Sequence, residues 1–322
     1  MNPDIQGSKL SGFLYTIYSI EIPLIPQILR NQQLIETLFE ILIPNYYSID
    51  HEVNQFVDDS SNVVGSETEE ELGLYTSDYL KIMEKFYYMN KLKLNAEKTK
   101  VMITKAKETK KIKISAPNGE VLTPDKAIKI LGYWKNSRDN YETHISKITG
   151  IVSKRLCEIK PYLSCMNLKT RRKIVYSKIA SIILYGIELY LGQTDETLRK
   201  VTVLLMKCNK TIYSKDYMRV SNNKICREIS VDPPEVLIRK ASLKFIHKLI
   251  NNEKPQQLFN KIRFNNKTRR CTKLSLNDGI RKESNKRTLI YQSIQLYNSI
   301  PSSMKYLSIR KFKNHLAKLK DV

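Results

Sequence analysis

From residue 144 onward, apolar side chains recur at steps of three and four: Ile145, Ile148, Val152, Leu156, Ile159 and Leu163. That spacing gathers all six on one stripe of a helix. Helical patterns also cover residues 168–191, 196–213 and 234–252, and the last 70 residues mix short apolar patches with basic clusters. The first half reads differently. A Gly/Ser loop at residues 6–12 precedes Phe13, Leu14, Ile17 and Tyr18 at helical spacing, which Pro23 ends. Residues 34–43 repeat an apolar period up to Pro44, within a poorly defined stretch that reaches Asp50. Residues 53–57 and 60–64 are short and β-prone, and Asp58-Asp59 between them makes a hairpin with two carboxylates at its tip. Ser66 with Glu69, Glu70 and Glu71 is a capped, acid-rich helix start, as the macrodipole favours. That helix carries Leu72, Tyr75, Tyr79, Ile82, Met83 and Phe86 and ends near Asn90. Residues 91–104 lead into a strand-like end, residues 111–122 alternate around Pro117-Asn118-Gly119 as a second hairpin, and residues 127–134 form a further short strand. A small antiparallel sheet with helices, followed by an all-helical half, makes the chain α+β.

Length and composition narrow the class. The chain has 322 residues, 41% apolar and 27% charged, enough for about two domains with cores of their own. Collagen-like and disulfide-scaffold classes do not fit. The longest apolar stretch, residues 179–191, is broken by Ser181 and Glu188 and falls short of the ~20 residues a bilayer span needs. No membrane partner is expected. Residues 1–12 lack a basic head followed by an apolar run, so an intracellular protein of cytoplasm or nucleus, not a secreted one, is expected. Five cysteines at 157, 165, 208, 226 and 271 show no C-x-x-C or Cys/His ligand spacing. They read as reduced thiols, and zinc is not expected. His144, His247 and His315 each stand alone as surface or packing residues.

The net charge is +23, and its distribution matters more than its sum. Residues 1–80 carry two basic and thirteen acidic side chains, whereas residues 81–322 carry 53 basic and 19 acidic ones. An acidic head on a basic body fits a polyanion-binding protein with a carboxylate-bearing site at one end. Nucleic acid is the leading polyanion, and a generally solvated, lysine-rich surface is the alternative.

Asp58-Asp59 is the sharpest chemical feature. Adjacent carboxylates on a tight turn can hold a hard divalent cation such as Mg2+ (or Mn2+), which takes one or two carboxylates together with substrate phosphates. The alternative is ordinary Asp-rich turn chemistry.

Five segments in order give these residues a context: Gln6-Gly7-Ser8, Phe56-Val57-Asp58-Asp59, Leu94-Asn95-Ala96-Glu97-Lys98-Thr99, Ile130-Leu131-Gly132-Tyr133 and Ile183-Leu184-Tyr185-Gly186-Ile187-Glu188. The succession resembles the reverse transcriptases of non-LTR (LINE-like) retrotransposons over roughly residues 4–213. The resemblance implies a partial palm at residues 1–135, an all-helical thumb at 136–215 and a basic helical extension at 216–322. It implies RNA-directed DNA polymerase chemistry with an RNA template, a DNA primer, dNTPs and Mg2+ as partners. Asp58 then matches the metal-binding carboxylate and Asp59 its neighbour. Phe56 stands where many relatives have Tyr. Gln6, Gly7 and Ser8 match the loop against nucleotide and template, and Leu131-Gly132 the primer-grip strand. Lys98 matches the palm lysine near the triphosphate, where an ammonium offsets charge on the departing pyrophosphate. Lys98 is also one of seven lysines in residues 98–113, and a solvated role for it stays open.

The family's first catalytic Asp and its fingers lie before the Q-G-S loop and have no counterpart here. The chain is therefore expected to be a truncated piece, inactive by itself. A non-catalytic nucleic-acid-binding remnant is the alternative, and a structural domain with an incidental basic surface is a third. Oligomeric state is open.

Overall fold

A computed structural model describes residues 49–56, 59–104, 112–138, 140–213, 219–265, 273–276 and 288–319. The helices expected near residues 13–18 and 34–43, the Q-G-S loop, Val57, Asp58 and Cys271 lie outside the described residues. The chain divides into two compact units, residues 1–143 and 144–322. No helix among the described residues is long and apolar enough to cross a membrane.

The described part of the first unit is built on one helix. Strands β1 (Asp50–Phe56) and β2 (Asp59–Gly65) pair antiparallel, and helix α1 (Glu69–Met89) follows. Its N-cap is Thr68, whose hydroxyl accepts from Glu71 N–H; Ser66, expected as the cap, instead donates its hydroxyl to Glu71 Oε2 at 2.9 Å. Two faces of α1 are used. Tyr75, Tyr79, Ile82, Met83 and Phe86 form a core with Val53 and Val64 of the hairpin. Leu72 and Leu80 join Ile103, Ile112 and Ile114 on the other, where β3 (Ile114–Ser115) and β4 (Val121–Leu122) pair around the expected Pro117-Asn118-Gly119 turn.

The segment expected as one strand at residues 127–134 is a hairpin, β5 (Ala127–Ile130) and β6 (Tyr133–Asn136). Its connection, Leu131-Gly132, has φ of 46° and 90°. A two-residue turn with both φ positive matches the twist of paired strands, but only the glycine adopts it without strain. The leucine hid the turn from a reading that looks for Asn-Gly.

The second unit is mainly helical. Helix α2 (Glu142–Leu163) buries Ile145, Ile148, Val152, Leu156 and Leu163, as the stripe predicts, with Ile159 half-buried. The expected helix at 168–191 is broken into α3 (Leu168–Val175), a π-turn (Tyr176–Ala180), α4 (Ser181–Leu184) and a 3-10 turn (Ile187–Tyr190). Gly186 causes the last break by taking a left-handed conformation at φ 61°. Helices α5 (Asp195–Tyr213), α6 (Asn222–Glu228) and α7 (Pro234–Asn252) follow. Helix α7 packs against α5, against the 187–190 turn, and against α9 (Leu289–Ser299) and α11 (Ile309–Lys318). The turn α8 (Gln256–Phe259) and the short α10 (Ser302–Lys305) flank this core.

An all-helical carboxyl-terminal half does not hold. Strands β7 (Ile262–Asn265) and β8 (Lys273–Leu276) form a hairpin there. Ile262 and Leu274 face the core while their neighbours do not, so the basic clusters masked a period of two. Asn298 of α9 holds its edge, accepting from Leu274 N–H at 3.0 Å and donating to Leu274 O at 2.9 Å. Mixed helix with small antiparallel sheets is the α+β class expected.

Candidate nucleic-acid interface

In the first unit the register sets Phe56 opposite Asp59 at the turn end of the β1–β2 ladder. The Phe56-Val57-Asp58-Asp59 motif thus joins the two strands, with Asp59 opening β2 and Asp58 outside the described residues. A polar cluster fastens the hairpin to α1. Tyr79 donates its hydroxyl to Asn62 Oδ1 at 2.9 Å. His51 Nε2 lies 3.2 Å from the same oxygen, and its Nδ1 lies 2.8 Å from the Tyr75 hydroxyl. A carbonyl oxygen only accepts, so the neutral ring carries its proton on Nε2 and takes the Tyr75 proton on Nδ1. Burial, and then the neighbouring Tyr75, raise the Tyr79 phenol well above its usual range, with the Asn62 bond opposing. The phenol therefore stays a donor at any physiological pH.

The Asn95-Ala-Glu-Lys-Thr segment is a single capped turn. Asn95 Oδ1 accepts from Lys98 N–H at 3.1 Å, and Asn95 O accepts from the Thr99 hydroxyl at 2.9 Å. This fixes the backbone and leaves the Lys98 side chain exposed, available to an anion and equally to water. Leu131 is 45% exposed at its turn, a large apolar side chain held outward by a strained backbone. Gly132 beside it is exposed as well. Lys98 and the Leu131-Gly132 turn sit on separate elements, and Gln6, Gly7 and Ser8 lie outside the described residues.

In the second unit the basic residues off the α2 and α3 stripes divide by type. The arginines brace the fold. Arg155 donates to Lys178 O at 2.8 Å, Arg171 to Met166 O at 2.8 Å, and Arg172 to Ile229 O at 3.2 Å and Ser230 O at 3.1 Å. The last pair caps the carboxyl end of α6, where a cation meets the negative end of the helix dipole. Lys154, Lys160, Lys169 and Lys173 are exposed and make no hydrogen bond or ion pair among the described residues. The guanidiniums are taken up by main-chain carbonyls, whereas these exposed ammonium groups remain available to a phosphate backbone.

Lys169, Arg172, Lys173, Tyr176, Ser230 and Val231 line an open cavity of about 360 Å3. Ser230 and Val231 went unnoticed in the sequence because the wall they form depends on Ser230 turning left-handed at φ 55°. The only signal was Pro233-Pro234, which closes the segment after α6.

Beneath the cavity, Tyr176 donates its hydroxyl to Asn209 Oδ1 at 3.0 Å, and Asn209 Nδ2 lies 3.5 Å from Cys226 Sγ. Burial pushes the Cys208 thiol up to about 12 and raises Cys226 as well. Both are packing residues without thiolate chemistry. Among the described residues, which omit Asp58, no three His, Cys, Asp or Glu side chains gather as metal ligands.

Compared with known proteins, the chain finds no matching family model, no matching curated protein and no matching solved structure.

Proposed function

We propose that this chain is a nucleic-acid-binding part of an RNA-directed DNA polymerase of the non-LTR retrotransposon kind. On this reading it contains a partial palm, a helical thumb and a basic extension. The observation that supports the reading best is the pairing of Phe56 with Asp59 across an antiparallel hairpin, with Asp58 between them in sequence. A polymerase palm needs its adjacent carboxylates on such a rigid platform. The capped turn that leaves Lys98 exposed, the exposed Leu131-Gly132 turn and the exposed Lys154, Lys160, Lys169 and Lys173, unpaired among the described residues, support it further.

In the proposed reaction the primer 3′ oxygen attacks the α-phosphorus of a dNTP, the bond to the β-phosphate oxygen breaks, and pyrophosphate leaves. Asp58 and Asp59 are hard oxygen donors that fit Mg2+, which when bound neutralises phosphate charge. Lys98 offsets charge on the departing pyrophosphate. Lys154 and Lys160 of α2 hold template and primer through their phosphates. No residue of the chain is assigned to the remaining metal carboxylate, so the chain alone is predicted to bind a primed template without extending it. dNTP incorporation that Asp58→Ala abolishes would refute that expectation.

Filter binding of an RNA–DNA hybrid with and without Mg2+ tests the reading. Mg2+ should tighten binding by the wild-type chain, and Asp58→Asn should remove the gain. Equal affinity under all four conditions would instead favour a non-catalytic nucleic-acid-binding remnant.

A further inference from the structure

The cavity beside α3 has features that a generally basic surface lacks. Its volume, about 360 Å3, lies within the roughly 300–1,000 Å3 range of small-ligand sites. Three of its six lining residues are cations and none is an acid. Lys169 and Lys173 stand four residues apart on α3, where like charges repel across one helical turn. Neither has an ion-pair partner among the described residues. The third cation, Arg172, is committed to the Ile229 and Ser230 carbonyls, so it cancels the negative end of α6 that would otherwise oppose an anion. The nearest acid along the chain, Asp232, is held by the Lys240 ammonium at 2.9 Å. The other surface is apolar. Tyr176 is tethered through its hydroxyl to Asn209, which leaves its ring to line the cavity beside Val231.

We propose that this cavity takes one nucleotide unit of a single-stranded nucleic acid, its phosphate on Lys169 and Lys173 and its base against Tyr176 and Val231. Two mobile ammonium groups beside an aromatic wall match the two halves of a nucleotide, as in single-strand sites where a base packs on an aromatic face and the backbone lies on cations. A duplex satisfies only the first half, because its bases are stacked and paired and cannot enter. The site rests on the geometry of the second unit alone and stands or falls independently of the Asp58-Asp59 hairpin.

The test is fluorescence anisotropy with the full chain, using a short labelled oligothymidylate, an abasic strand of the same length and charge, and a duplex of that length. Lys169→Gln/Lys173→Gln neutralises the cavity, and Lys311→Gln/Lys313→Gln removes the same charge from exposed positions on α11. The cavity variant should lose about tenfold in oligothymidylate affinity. Its salt slope should fall by about 0.7, the share of the one phosphate the cavity neutralises on a single strand. The α11 variant should lose no more than about threefold. The wild-type chain should prefer oligothymidylate to the abasic strand by at least about fivefold, and Val231→Ser should shrink that preference. Equal losses in the two double variants, equal binding of the abasic strand, or a loss of duplex affinity in the cavity variant as large as its loss of oligothymidylate affinity would overturn the proposal.

Discussion

Two glycines sit inside long helices, and the same substitution should act on them with opposite sign. Gly→Ala within a helix ordinarily gains about 0.5–1 kcal/mol through backbone entropy. At Gly150 in α2 a Cβ would meet nothing within 4 Å, so Gly150→Ala should show that gain. At Gly73 in α1 a Cβ would lie 2.7 Å from Lys113 O, with Lys113 N and C at 3.5 and 3.6 Å. These are backbone atoms of the residue just before β3, and the strand that follows cannot easily retreat. Ser115 N–H donates to Ser77 Oγ at 2.9 Å, and that hydroxyl donates to Gly73 O at 2.8 Å. The helix turn and the strand are thus tied at the point of contact. Overpacking of this kind costs about 1–3 kcal/mol, which set against the entropic gain leaves Gly73→Ala destabilised by up to about 2.5 kcal/mol. Urea unfolding followed by tryptophan fluorescence reads it well, because the single tryptophan, Trp134, lies in the same unit as Gly73. The midpoint should fall for Gly73→Ala, whereas Gly150→Ala should raise the helical transition seen by circular dichroism. A raised midpoint for Gly73→Ala would refute the close packing of α1 on β3.

Asn62→Ala removes the acceptor shared by Tyr79 and His51. Because Asn62 is exposed and water can replace it, the loss should be about 0.5–1.5 kcal/mol, read as faster amide exchange in β1 and β2 with α1 unchanged. Arg172→Met should lower the stability of the second unit by about 1 kcal/mol, a charged hydrogen-bond pair discounted for partial exposure. Lys173→Gln should stay within about 0.5 kcal/mol; equal thermal shifts would contradict the division of labour between arginines and lysines. Burial lowers the pKa of His144 and of His247, the latter against the opposing pull of its bond to Leu307 O. The unfolded chain then takes up protons first, so stability is full above pH ~6.5 and is lost as pH falls below it. His247 stacks on Phe312 at 3.8 Å and bonds Tyr297 and Leu307, so His247→Gln should lower the thermal midpoint near neutral pH and flatten its acid dependence.

What the sequence revealed depended on the range of the interactions involved. The α2 stripe, the α1 helix and the Pro117-Asn118-Gly119 turn follow from local spacing and turn chemistry, and each appears where expected. The β5–β6 hairpin was missed because Leu131 occupies a positive-φ position that Asn or Gly ordinarily fills. The β7–β8 hairpin was missed because its two inward residues are recognisable only against α7 and α9, which meet it through long-range packing. The basic residues of α2 and α3 were legible as a group. Their division was not, since the carbonyls that occupy Arg172 arrive from about 57 residues downstream. The hairpin around Asp58-Asp59 was legible from its two β-prone flanks, but Asp59 opens β2 rather than standing in the turn and Asp58 lies outside the described residues; the chemistry of the motif rests on the motif order.

Paramagnetic Mn2+ provides the most direct test of whether that hairpin holds a divalent cation. Titrated into the wild-type chain, it should broaden the backbone amide signals of residues 54–56 and 59–61 before any others, and Asp58→Asn/Asp59→Asn should abolish the broadening. Signals that stay sharp there, or broadening that survives the double substitution, would contradict the polymerase reading at its core.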